Sequence, residues 1–212
     1  MITTFYPRSD VSEPIDWNTG SNWTNTDGGT TPINRTPGTN SPVVINRIVR
    51  IVNDGMSAGS INLDAAGTLI VDEDAGNPSS GHTLGTATGT GTLRIISEDA
   101  TSPTFPNENG GNWNSFLSAS GGTVEYSGDG SYSLPSNILT YNNLNITSST
   151  GSSTKTLPDA DLTIHSDFSL TGANTTTVLL SDAASGNLTI GNDLSVAATN
   201  TLQFQNTTSR TA

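Results

Sequence analysis

Asp72 and Asp74 stand two residues apart ahead of Gly76, the spacing with which an oxygen-donor calcium loop opens. The glutamate that closes such a loop is missing, because the chain runs on as Pro78-Ser-Ser-Gly-His82. Asp159 and Asp161 form a second paired-carboxylate turn. Calcium is therefore the only cofactor these residues suggest, with Asp72 and Asp74 as the candidate ligands. His82 and His165 lie far apart and outside any metal-ligand spacing, and there is no cysteine for thiol catalysis, thiolate metal sites or disulfides. Nucleophile elbows, zinc-protease helices and phosphate-cradling loops are missing too. A polysaccharide-cleaving site needs carboxylates grouped with a base. The basic residues Arg47, Arg50, Arg94 and Lys155 are too few and too scattered to supply one. No enzyme activity is expected. Trp17, Trp23 and Trp113 are the remaining candidates, since exposed indoles stack on the apolar faces of sugars.

The elements that would position these residues are short strands. Residues 162–170, LTIHSDFSL, return at 188–196 as LTIGNDLSV, with Leu162/Leu188, Thr163/Thr189, Ile164/Ile190, Asp167/Asp193 and Ser169/Ser195 identical. Each phrase holds two alternating strands around a polar corner, and repetition at a fixed offset is the signature of stacked coils. Similar phrases run from Val43-Val-Ile45 to Leu202-Gln-Phe204, separated by turn chemistry such as Asn53-Asp-Gly55 and Gly121-Gly122. Helical periodicity is missing. The expected fold is all-β, a parallel β-helix (β-solenoid) with coils of about 18–26 residues, each rising about 4.8 Å. Residues 1–42, with Phe5, Tyr6, Trp17, Trp23 and five prolines, are expected to cap its first coil. Residues 43–212 hold the coils, with an excursion at about 97–120 that packs Trp113 and Phe116 on the flank. A β-sandwich is the alternative. Gly128-Asp-Gly130, between Val124-Glu-Tyr126 and Tyr132-Ser-Leu134, would then be a hairpin.

Only 32% of the residues are hydrophobic, too few for an ordinary globular core but enough for a narrow column fed by alternate strand residues. Seven basic against nineteen acidic residues give a formal net charge of −12, which disfavours nucleic acid and anionic membranes as partners. No apolar run is long enough for membrane insertion as a helix. The start, MITTFYPRSD, does not read as a signal peptide, and the abrupt run 206–212 reads as the edge of a fragment.

Gly121-Gly-Thr-Val-Glu-Tyr-Ser-Gly128, Tyr141-Asn-Asn-Leu-Asn-Ile146 and Lys155-Thr-Leu157 together resemble the secreted, repetitive cell-surface proteins of Bacteroidetes-type bacteria, many exported by the type IX system. The resemblance covers the chain from about Trp17 to Phe204 and carries no catalytic motif. It implies an extracellular location on a bacterial cell surface and a structural role as adhesin, stalk or filament. The partners it implies are neighbouring domains of the same protein or further copies through self-association. A carbohydrate-binding module reaching surface glycans through Trp17, Trp23 and Trp113 is the alternative.

Overall fold

The computed structural model describes residues 3–72, 80–148, 152–172, 176–180 and 187–204. Among these residues one strand pair is antiparallel, Tyr6–Pro7 with Trp23–Thr24, and every other pair is parallel. Parallel neighbours need a crossover between them, and here the crossover is the rest of a coil.

The longest sheet stacks eight strands in chain order: Ile15–Asp16, Ile48–Ile51, Thr68–Val71, Thr92–Ile96, Thr123–Ser127, Asn143–Ser148, Phe168–Gly172 and Leu194–Val196. Such an uncrossed order is that of a β-solenoid. Successive partners from Val49 onward lie 20 to 31 residues apart, the longest step running from Leu93 to Val124 through the excursion. A second face carries Pro42–Ile45, Ser60–Leu63 and Thr86–Gly89. After a break, Thr140–Tyr141, Leu162–Ile164 and Leu188–Ile190 take the same place in the coil. A third face holds Tyr132–Ser133, Ser153–Leu157, Thr176–Leu180 and Thr201–Phe204.

Period-two alternation builds the core as ladders. Val49, Leu69, Leu93, Val124, Leu144 and Phe168 stack in register, none more than 1% exposed. Beside them Ile51, Val71, Ile95, Tyr126, Ile146 and Leu170 form a second buried column. Each such side chain contributes about 1.5–3 kcal/mol by leaving water, so a low hydrophobic fraction suffices when nearly every apolar residue is in a ladder. The intervening residues face outward and bond along the rod. Arg94 pairs with its cross-strand partner Glu125 at 2.5 Å, Asn145 donates to Glu125 at 2.9 Å, and Thr171 donates to Asn145 at 2.8 Å.

The repeated phrase is paired as its spacing predicts, with Leu162, Thr163 and Ile164 opposite Leu188, Thr189 and Ile190, and Ser169 opposite Ser195. Gly128–Gly130, by contrast, is not a hairpin. Thr123–Ser127 belongs to the long face, whereas Tyr132–Ser133 pairs with Lys155 and Thr156 on the third. The corner is tight. Gly128 sits at φ +92°, and a Cβ there would lie 2.2 Å from the Ser97 carbonyl oxygen, so only glycine turns the chain.

Residues before position 43 take part in the stack itself. Phe5 bridges Val43, and Ile15 pairs with Val49. In the excursion Phe105, Trp113 and Phe116 pack edge to face at 5.4 and 5.6 Å and are buried, with Asn114–Leu117 forming one helical turn. No helix among the described residues is long and apolar enough to cross a membrane.

Candidate functional site

The three tryptophans are core residues. Trp17, Trp23 and Trp113 are each at most 1% exposed. Trp17 and Trp23 meet edge to face at 5.1 Å, Trp23 Nε1 donates to the Trp17 carbonyl at 2.9 Å, and Phe5 closes on Trp23 at 6.2 Å. The expectation of exposed indole platforms is thereby corrected. A sugar cannot stack on a ring face that protein already covers. The physical reason is local: Trp17 and Trp23 fold over the first rung, and Trp113 packs between Phe105 and Phe116 in the excursion.

The acidic turns serve as staples between coils. Asp72 is buried and pairs through Oδ2 with Arg50 Nη2 at 2.5 Å. Its proposed co-ligand Asp74 lies outside the described residues. Asp161 Oδ1 accepts from both the backbone N–H and the side-chain amide of Asn187 at 2.9 Å. Asp54 accepts from Ser80 N at 2.7 Å, and Asp167 from Asp193 N at 3.2 Å. All three donors lie 26 residues downstream of their acceptors, one coil further along. Among the described residues no group of three or more His, Cys, Asp or Glu is placed to hold a metal.

His82 is buried, and its Nδ1 accepts from Met56 N at 3.3 Å. His165 is exposed at the corner after Leu162–Ile164, where the next coil has Gly191. A Cβ at Gly191 would come within 2.1 Å of the His165 carbonyl oxygen, so the substitution between the two copies of the phrase is a matter of stacking.

The buried ammonium of Lys155 was not to be expected from its charge. It is the chain's only lysine and is 0% exposed. It points into the column at a ladder position between Ser153 and Leu157, both buried. Nζ donates to the Gly128 carbonyl at 3.0 Å, to the Gly130 carbonyl and to Ser153 Oγ at 3.1 Å, and stands 4.2 Å from the Tyr132 ring centroid. Burial pushes its pKa down to about 8, partly offset by the carboxylates of Asp129 and Glu98. The amine ties the Gly128–Gly130 corner to the following coil. The signal was present in Ser153-Thr-Lys-Thr-Leu157, where strict alternation puts Lys155 on the inward side.

At the last described rung Leu194 and Val196, 48% and 41% exposed, continue the two buried ladders. On the flank, a groove of about 510 Å³ opens between the excursion and the strand Thr140–Tyr141. The chain matches no model of a known protein family, no curated protein and no solved structure.

Proposed function

We propose that this chain is a structural segment of a bacterial cell-surface protein, working outside the cell as a stiff spacer within an adhesin or stalk. Its role is mechanical and not catalytic. Backbone ladders join each coil to the next, and the charged side chains described above are taken up in stapling coils together.

The observation that carries this reading is the continuous parallel stack: eight strands follow one another in chain order, and their buried ladders run in register from Val49 to Phe168 and from Ile51 to Leu170. Such a column resists bending because every coil is bonded to the next along its whole length.

Single-molecule pulling of the 212-residue chain tests this. A stiff spacer should resist extension and then give way coil by coil, in steps of 20 to 31 residues. Smooth extension at low force with no such steps would overturn the reading.

A further inference from the structure

The second-face ladder breaks at one place. Thr86–Gly89 is followed by a single bridge from Thr86 to Asn112, and the sheet resumes only at Thr140–Tyr141, which forms its outer edge. On this face no strand bridge joins Asn112 to Thr140, and the groove of about 510 Å³ lies beside them. Its volume lies within the range of small-molecule sites.

The polar lining is Asn107, Asn112, Asn114, Ser118, Asn137, Thr140 and His165. Among the described side chains no Asp, Glu, Lys or Arg lines it, although the chain as a whole carries a formal charge of −12. Side-chain amides and hydroxyls each offer a donor and an acceptor on one small group. That matches the hydroxyls of a neutral ligand, and it gives a carboxylate or phosphate no counter-charge.

An independent observation comes from the wall. Trp113 is 1% exposed, and its indole Nε1–H has no hydrogen-bond acceptor among the described residues. The nitrogen lies beside Gly111, another groove residue, 3.4 Å from where a Cβ on that glycine would stand. An unmet buried donor is costly, and such a group in a native protein calls for a partner. Apolar contact in the groove is limited to the largely buried Leu117, Ile138 and Trp113 and the half-buried Leu139, which offers little to the alternating side chains of a peptide strand.

We infer that this groove binds a neutral polyhydroxylated ligand, a short oligosaccharide held edge-on by asparagine amides and the Trp113 indole N–H. Recognition here rests on hydrogen bonding and not on stacking against an exposed ring.

Proton–nitrogen NMR of the labelled chain, titrated with maltotriose, cellotriose and N,N′-diacetylchitobiose, tests the assignment. At least one probe should move the Trp113 indole resonance together with side-chain amides of Asn112, Asn114 or Asn137. Asn114→Ala and Asn137→Ala, both at exposed positions, should each weaken that probe about fivefold, the loss expected for one hydrogen bond. Asn18→Ala, exposed and remote from the groove, should leave it unchanged. No movement of the Trp113 resonance with any probe at about 10 mM, beyond the weakest useful affinity, overturns the inference. So does binding that both asparagine variants leave intact. An alternating Val-Thr octapeptide that shifts the Thr140 and Tyr141 amides where the sugars do not would reassign the groove to strand docking.

Discussion

Replacing Lys155 by Met while raising the pH separates two forces that act on one buried ammonium. The amine is held at a pKa of about 8, against the ordinary lysine value of 10.5, because burial strips its hydration. The unfolded chain therefore binds more protons than the folded chain between about pH 8 and 10.5, and stability climbs with pH across that window. At about 1.36 kcal/mol per unit, the charged amine costs roughly 3 kcal/mol at neutral pH, of which about 2 is recovered by pH 9.5. Tyr126 and Tyr141, buried with their hydroxyls 3.1 Å apart, act in the opposite sense. Burial raises the pKa of both, so the folded state keeps phenolic protons that the unfolded state releases, and stability falls above about pH 10. At pH 9.5, still below the ordinary tyrosine range, these two offset only a small part of the gain. Urea unfolding followed by tryptophan emission should thus give a midpoint that rises from pH 7 to about 9.5 and declines beyond 10. Lys155→Met should lose the rise and keep the decline. Its stability at pH 7 should stay close to that of the parent. Relief of desolvation is set against the Gly128 and Gly130 carbonyls left without a donor, about 1–3 kcal/mol each. A midpoint that is flat or falling from pH 7 to 9.5 would refute the reasoning, since three oxygens and the Tyr132 ring would then solvate the ammonium as well as water does. An equal rise in Lys155→Met would refute it as well.

Leu93, in the middle of the first core ladder and fully buried, should cost about 2–5 kcal/mol as Leu93→Ala, read from urea unfolding, while Leu194→Ala at the exposed rung should cost well under 1. Asp167→Ala removes the acceptor shared by Asn192 and Asp193 and should lower stability by about 1–2 kcal/mol. Millimolar calcium should leave the unfolding midpoint of the parent unchanged. A calcium-dependent rise would restore the acidic turns as metal sites.

The repeated phrase made the architecture legible before any coordinates. Identical residues at 162–164 and 188–190 can satisfy one another only by stacking in register, and they do. Corners were less legible. Gly128-Asp-Gly130 looks the same whether the next strand folds back beside Thr123–Ser127 or moves to another face, because glycine permits both turns. The outcome depends on Ser153–Leu157, more than twenty residues downstream, offering Tyr132–Ser133 a parallel partner. The tryptophans were open to two readings for a related reason. An indole beside a glycine turn suits an exposed sugar platform and a plug over an open rung equally well, and the Trp17–Trp23 contact at 5.1 Å decides for the plug.

What the sequence by itself determined is everything set by local period: strands from alternation, corners from glycine, asparagine and aspartate, and stacking from the repeated phrase. These follow from interactions within a few residues or between identical copies. Only the tertiary structure decided which charged groups are enclosed. Lys155 is at a ladder position by alternation, but its burial depends on the Gly128 and Gly130 carbonyls arriving from the preceding coil. The flank groove exists because the excursion returns to the second face at Asn112 alone and the ladder does not close on Thr140. Burial and cavity shape are set by partners 20 to 30 residues away, and no local pattern encodes where those partners stop.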